Sequence, residues 1–471
     1  MLRTGFAAIR AELGVEVDVE PAALDEAQVA AAAPGPARRD LRDLPFVTLD
    51  PPGSTDLDQA MHLRPAGDGF LVHYAIADTA QFIRPGGPLD RAAHRRVTTI
   101  YCPDTRVPLY PPLLSEDAAS LRAGHDRPAV VWTLRLAADG TLVETAVERA
   151  TVRSRAQLDY PSAQGRLDSG VPDDDPLALL AAIGTLRQAI ERDRGGVSLG
   201  RPEQEVVDTP DGWALTFRAP LAIEEHNAQL SLLTGMAAAR LMLDAGVGVL
   251  RTMPSAGPHD LARLRRQALA LGVPWPTGAP YAEVLRAVDH TTANGAAFLA
   301  AATGLFRGAA WTPFDGDPPT EVRHGAVGAP YAHVTAPLRR LVDRYGLEVC
   351  LAVHAGRPVP DWVRHALPGL GTTMAGGARR AAAVDRACTD LVEAVLLEDR
   401  VGEGFTGIVL DDRTVQLDGP AVVARLEQDG LREGARVRVR LVEADPATRR
   451  VRFVPMVDPP RPDGGDVGRA T

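Results

Sequence analysis

The chain has 471 residues, enough for about three average domains, and a net charge of −10. All 51 basic residues are arginine, which excludes Schiff-base and pyridoxal chemistry, a phosphate-loop lysine and a lysine general base. The acidic balance argues against a protein that coats nucleic acid over its whole surface, but it allows a local basic channel leading to an acidic centre.

Residues 1–43 read as two short helices, "FAAIRAEL" and "AALDEAQVAAAA", followed by a "PGPARRD" linker. From Leu44 to about Leu158 short alternating runs predominate, including "FLVHYAIAD" and "AVVWTLRLAADGTLVETAVERATVRSRAQL", where "ADGT" is a hairpin signal. From about Asp175 to Asp399 the period is helical, in "DPLALLAAIGTLRQAIERDR", "IEEHNAQLSLLTGMAAARLMLDAG", "YAEVLRAVDH", "APLRRLVDRYGLEVCLAVHAG" and "GARRAAAVDRACTDLVEAVLLED". After "GEG" at 402–404 short strands return, enough for a five-stranded barrel of about 55 residues. The Pro- and Gly-rich residues 458–471 are expected to be disordered. The expected division is thus a helical segment and linker over 1–43, a large domain over 44–399, a barrel over 400–457 and the tail.

No run of about 18 apolar residues marks a membrane span. The first twenty residues turn charged before an export-signal core can form. Cys102, Cys350 and Cys388 are too few and too widely spaced for a disulfide framework or a zinc ribbon, which fits a reducing cytoplasm.

Chemistry concentrates in "TLDPPGSTDLDQAMHL", which carries Asp50, Asp56 and Asp58 around a Pro-Pro-Gly bend. In an extended chain Asp56 and Asp58 point to one face, and the bend folds Asp50 back toward them. Three carboxylates so gathered repel one another unless a cation lies between them. Hard oxygen ligands favour Mg²⁺ or Mn²⁺, and such a centre most often supports phosphoryl transfer. A solvated Asp-rich loop has the same spacing, so spacing alone leaves both readings open.

The stretch from "FVTLDPPGSTDLDQAMHL" through "VHYAIADTAQFIRPGGPLDRAAHRRVTTIYCPDTRVPLYPPLLSEDAASLRAGHDRPAVVWTL" resembles the catalytic domain of the ribonuclease II / ribonuclease R family. The likeness continues, in order, at "IEEHNAQLSLLTGMAAARLM", "YAHVTAPLRRLVD", "ARRAAAVDRACTDL" and "GEGFTGIV", covering about residues 44–456. It implies an α+β fold: an RNB-type catalytic domain with a mixed sheet among helices, followed by a small OB-like RNA-binding barrel. It implies further that Asp50, Asp56 and Asp58 hold Mg²⁺ at the scissile phosphate, Asp58 being the carboxylate on which activity depends most. The family's fourth acid falls on Gln59, whose carbonyl can still offer a hard cation an oxygen without the charge.

By the same resemblance Arg339 of "TAPLRR" reaches the phosphate, Arg340 and the "Y-x-H-x-T" lead-in with His333 and Thr335 support substrate, and Tyr101 stacks on a base at the 3′ end. A guanidinium forks onto two phosphate oxygens, and stacking is sequence-tolerant at about 1–3 kcal/mol per base. Ala336 and Leu341 depart from the usual Ser and Tyr. Pro337 is expected to open the following helix. Arginines 339, 340, 344, 379, 380 and 386 are available to line a backbone path. His62, His73 and His94 lack ligand spacing and read as structural, and Glu224 and Glu225 as partners of arginines. Asp78 fits a structural or a supporting role equally.

The expectation is therefore a cytoplasmic, Mg²⁺-dependent (or Mn²⁺-dependent) 3′→5′ exoribonuclease that degrades single-stranded RNA processively to nucleoside 5′-monophosphates. It is expected to act as a monomer, with no membrane and no nucleotide cofactor. The family's two N-terminal cold-shock barrels have no counterpart in the 43 residues before "LPFVTLD", so the C-terminal barrel is expected to guide RNA. Two alternatives remain: an RNA-binding pseudonuclease inactivated at Gln59, and a metal-dependent hydrolase of small phosphoesters.

Overall fold

The computed structural model describes residues 2–33, 35–197, 203–210, 212–289, 292–411, 413–428 and 430–456. The tail over 458–471 lies outside the described residues. The N-terminal helices α1 (Leu2–Glu12) and α2 (Pro21–Ala32) dock separately, α1 burying Leu2, Phe6 and Ile9 and α2 burying Ala23 and Ala27. The chain then enters a mixed sheet through β1 (Arg39–Asp40), β2 (Phe46–Asp50), β3 (Gln59–Ala66) and β4 (Gly69–Ala77). Helix α3 (Pro88–Arg96) and the hairpin of β5 (Ile100–Cys102) and β6 (Thr105–Val107) precede two long strands, β7 (Asp126–Leu136) and β8 (Leu142–Asp159).

The strand order is β1-β8-β2-β3-β4-β7. Strand β8 pairs antiparallel with β7 along its first part and parallel with β2 along its last, so the pairings return on themselves. The β7–β8 turn is the one signalled by "ADGT", with Gly140 at φ +83°. Phe46, Met61, Tyr74 and Trp132 are the sheet's largest buried side chains, each worth roughly 1.5–3 kcal/mol on burial.

Helices α4 (Tyr160–Asp168) and α5 (Pro176–Asp193) each begin on an aspartate that accepts a backbone N–H, Asp159 from Ser162 and Asp175 from Leu177, both at 2.9 Å. A hairpin of β9 (Glu203–Thr209) and β10 (Gly212–Arg218), which hydropathy does not reveal, leads to α6 (Ala222–Ala245). Strand β11 (Val247–Thr252), helices α7 (Pro258–Leu271), α8 (Tyr281–Ala287) and α9 (Ala293–Ala302), and strands β12 (Ala310–Asp315), β13 (Arg323–His324) and β14 (Ala329–Pro330) follow. Strand β12 pairs with β11.

Helix α10 (Leu341–His354) is buried on every side from Leu341 to Ala352, as expected of a helix through the centre of a core. Its buried charges are all paired: Asp343 with Arg340, Arg344 with Asp90 and Glu348 with Arg149. Helix α11 (Asp361–Leu397), about 55 Å long, ties two cores together. Its first half buries Val363, Leu367, Leu370 and Met374 with the sheet, and its second half buries Val384, Leu391, Val392 and Leu397 with α1 and the barrel. The barrel closes from β15 (Gly404–Asp411), β16 (Thr414–Leu417), β17 (Val423–Leu426), β18 (Arg436–Asp445) and β19 (Arg450–Pro455). The fold is α+β with a C-terminal β-barrel. Among the described residues no helix is long and apolar enough to cross a membrane.

Candidate active site at the Pro-Pro-Gly bend

Strand β2 ends at Asp50, and the bend follows with Gly53 at φ +77°, a conformation costly for residues with a Cβ. Residues 51–58 are irregular rather than extended. Leu57 is fully buried, its N–H on the Ser120 hydroxyl at 3.0 Å and its carbonyl accepting from the Leu121 N–H at 3.0 Å. Its neighbours therefore diverge, where an extended chain would have aligned them. Asp56 turns to the β5–β6 hairpin, accepting from Arg106 at 2.5 Å and from the Tyr101 hydroxyl at 3.1 Å. Asp58 turns inward, accepting the Leu338 N–H at 2.7 Å and Arg339 Nε at 3.2 Å. Among the described residues no three acid, histidine or cysteine side chains stand close enough to hold one ion as placed.

Asp50 Oδ2 is buried and makes no hydrogen bond. Burial pushes the Asp50 carboxyl up to about 7, Asp56 adding to the rise and the Arg339 cation opposing it. Burial likewise pushes Asp58 up to about 8, against the pull of Arg339 and the Leu338 N–H. The single arginine thus acts on both carboxylates and leaves both undercompensated. Such a centre draws in positive charge.

The Arg339 backbone is held from two sides. Its carbonyl accepts from the Thr98 hydroxyl at 2.8 Å and the Thr99 N–H at 3.0 Å, while the Leu341 N–H donates to the Val97 carbonyl at 3.0 Å. Val97 itself sits at φ +68°, a strained position for a β-branched residue. Helix α10 starts at Leu341, not at Pro337 as expected: a turn forms in which the Ala336 carbonyl accepts the Arg339 and Arg340 N–H at 3.2 and 3.0 Å, but Arg340 is extended (φ −136°, ψ +126°) and bridges to Thr98, which breaks the helix there. Arg339 therefore projects from a rigid turn, with its side chain 45% exposed. Apart from Nε on Asp58, its guanidinium makes no hydrogen bond among the described residues.

Gln59 opens β3 and faces the scaffold. Its Nε2 donates to the Thr335 carbonyl at 2.7 Å, and its Oε1 accepts from the Tyr74 hydroxyl and from Ser231 at 3.2 Å. The oxygen expected to face a cation is occupied by two hydroxyls. Gly235 of α6 lets the segment leading to Thr335 pack close, since a Cβ there would stand 2.1 Å from the Tyr331 ring and 2.6 Å from the Ala332 carbonyl oxygen.

The other sequence-derived positions separate into two groups. Tyr101 is 52% exposed beside Asp56, as a stacking surface requires. His333 accepts from Trp311 Nε1 at 3.2 Å and packs edge-on against Tyr331, and burial followed by Arg340 holds it well below the usual imidazole range. Thr335 is buried, and Arg340 is spent on Asp343 at 2.8 and 2.9 Å. Arg344, expected to line a path, is 1% exposed and bound to Asp90; Arg380 donates to the Arg95 carbonyl. Asp78 is buried between Arg38 and Arg149, a structural ion cluster, and Glu224 pairs with Arg218 at 2.7 Å. Arg106 and Val97–Thr99 carry no pattern in the sequence that marks them as site residues.

The RNB domain matches residues 38–349, and the RNase II-type exonuclease C-terminal S1 domain matches residues 403–456. Ribonuclease R of Escherichia coli (strain K12) is 27% identical over 430 residues, covering 83% of this chain and 52% of that protein. The structure is similar to Mycoplasma genitalium RNase R in complex with ribose-methylated single-stranded RNA: TM-score 0.85, 18% identity, covering 97% of this chain and 78% of the other. It is also similar to yeast Ssd1, described as a pseudonuclease: TM-score 0.73, 15% identity, covering 95% of this chain and 57% of the other. Across the curated relatives compared, the chain spans 18% to 58% of their length. With the RNB match running through both Asp50–Asp58 and Arg339, and the S1 match coinciding with the closed barrel, the chain belongs to the RNB-domain exoribonuclease family.

Proposed function

We propose that the protein is a divalent-metal-dependent 3′→5′ exoribonuclease that removes nucleoside 5′-monophosphates processively from single-stranded RNA. The observation that carries this reading is the pairing of a buried Asp58, gripped by the Leu338 N–H and facing Arg339, with an Asp50 that keeps a buried unbonded oxygen. This donor set fits Mg²⁺, or Mn²⁺ in its place, because ionising either carboxylate in its present surroundings is costly and a hard cation offsets that cost. Asp50 and Asp58 would hold the ion; Asp56 would join them only on leaving Arg106 and Tyr101. When bound, the metal supplies an activated water and stabilises charge on the scissile phosphate.

The chain's own groups do the rest. Arg339, fixed by its backbone, presents a guanidinium to the phosphate oxygens and opposes the charge that develops on them. Tyr101 stacks the terminal base, so that any nucleotide is accepted. The barrel at residues 403–456 guides the strand toward the site. The protein acts as a monomer in the cytoplasm on this reading.

A second reading, an RNA-binding pseudonuclease, is favoured by one observation: the amide at position 59 is fully engaged by Thr335, Tyr74 and Ser231. End-labelled poly(A) incubated with Mg²⁺, with and without chelator, decides between them. Metal-dependent release of mononucleotide that Asp58→Asn abolishes supports the nuclease. Intact label, with RNA still bound, overturns it in favour of the binder.

A further inference from the structure

The three cysteines are far apart in the sequence, but the fold brings two of them together. Cys102 ends β5, directly after Tyr101, and Cys388 lies on the inner face of α11. Strand β5 packs on α11, and Cys102 packs against the core in which Cys388 is buried. Each thiol acts on the acidity of the other, and Arg10 of α1 acts on that of Cys102. The remaining reach of Arg10 holds Asp104 bidentately at 2.6 and 3.1 Å, fixing the guanidinium beside the sulfur. Cys102 is partly exposed, whereas Cys388 is 2% exposed within the core shared by α1, α11 and the barrel.

We propose that Cys102 and Cys388 form a hydroperoxide-reactive dithiol that closes to a reversible intramolecular disulfide, stapling the β5–β6 hairpin to α11. Roles follow from the surroundings. The neighbouring Cys388 and then Arg10, against the opposing effect of burial, hold the Cys102 thiol below its ordinary range, while Cys388, beside Cys102 and buried, is raised and keeps its proton. The Cys102 thiolate attacks one peroxide oxygen; the O–O bond breaks, leaving a sulfenic acid, and the departing hydroxide takes a proton to become water. The Cys388 sulfur then displaces the hydroxyl: the S–S bond forms, the S–O bond breaks, and the Cys388 proton leaves with the hydroxyl as a second water. Two thiols and one peroxide give one disulfide and two waters. Thiol reduction by a second dithiol reverses the step.

The fold carries its own control. Cys350 is buried, its thiol is pushed up by burial, and its sulfur faces the Ala238 carbonyl at 3.9 Å. The staple would also act on Tyr101 and Arg106, which hold Asp56 from the same hairpin. That consequence rests on the nuclease reading; the disulfide itself does not.

The test uses the full chain, reduced and then freed of reductant, treated with hydrogen peroxide and followed by intact mass and by peptide mapping after alkylation. The expected result is a loss of two hydrogens, a linked Cys102–Cys388 peptide, an unoxidised Cys350, and full recovery with dithiothreitol. Cys388→Ser should accumulate sulfenic acid at Cys102, trapped by dimedone, and Cys102→Ser should resist the same dose. Any of three results overturns the proposal: both thiols still alkylated at a dose that oxidises free glutathione, a disulfide between two chains, or oxidation of Cys350 as fast as of Cys102. Affinity for a short RNA, compared between reduced and oxidised protein in chelator, tests the coupling separately. Equal affinities remove the coupling and leave the disulfide to the mass measurement.

Discussion

The Gln59 side chain donates to the Thr335 carbonyl at 2.7 Å, across the seam between the sheet and the turn that carries Arg339. An aspartate could not make this bond, because a carboxylate set against a carbonyl pairs acceptor with acceptor. The departure from the family's fourth acid therefore has a structural use: the amide joins β3, the Tyr74 and Ser231 hydroxyls, and the Thr335 backbone. Gln59→Asp is expected to destabilise the fold by about 1–3 kcal/mol, the cost of leaving a buried acceptor unmade, measured as a lower urea midpoint. Calorimetric Mg²⁺ binding should keep its stoichiometry. An extra ion bound by the variant would show that position 59 is a vacated ligand site instead.

Asp58→Asn is the sharpest test of the buried carboxylate. The asparagine oxygen can still accept the Leu338 N–H, so the turn should survive while the charge facing Arg339 is lost. Cleavage of labelled RNA should fall by at least about a hundredfold, with RNA affinity in chelator and thermal stability close to the parent. Cleavage that persists at the parental rate would remove Asp58 from the chemistry.

Much of this site was legible in the sequence, and what was missed follows a rule. Local chemistry is readable: the proline-glycine bend after Asp50, the alternating runs of β3 and β4, the helical period of α6, and the turn residues between β7 and β8. None of the three aspartates is splayed into solvent, and Arg339 acts on both Asp50 and Asp58. The structure departs from these expectations where a partner from a distant segment decides the outcome. Burial of Leu57 against Ser120 and Leu121 splits Asp56 from Asp58, and the bridge from Thr98 to an extended Arg340 delays the start of α10. Arg344 looked available beside Arg339 and Arg340, but one turn of a fully buried helix carries it to Asp90. Spacing along the chain holds no information on such pairings.

Tyr101 has two separable duties, a half-exposed ring and a hydroxyl on Asp56. Tyr101→Ala is expected to weaken binding of a short single-stranded RNA by about 1–3 kcal/mol. Tyr101→Phe keeps the ring and should bind RNA nearly as the parent does. Equal weakening in both variants, read by fluorescence anisotropy in chelator, would mean that the hydroxyl on Asp56 matters and stacking does not.

Glu393 gives the pH prediction. Its Oε1 accepts from Gln204 of β9 at 2.7 Å and from the Val423 N–H of the barrel at 3.0 Å, so three elements meet on one buried carboxyl of α11. Burial pushes it up to about 7, with the two hydrogen bonds opposing and Asp390 adding to the rise. The unfolded chain loses this proton near an ordinary glutamate value of about 4.3. Between that value and about 7 the folded chain keeps a proton that the unfolded chain has released. The contribution of this group is therefore fully present below the unfolded value and falls by up to about 1.4 kcal/mol per pH unit, being lost as pH rises through the folded one. Glu393→Gln retains the accepting oxygen and cannot ionise. Denaturant unfolding should find the variant close to the parent at pH about 5 and more stable than it by on the order of 1–3 kcal/mol at pH about 8. Parallel pH profiles for the two proteins would show that Glu393 is ionised throughout, and that the junction between helix and barrel does not sense protons.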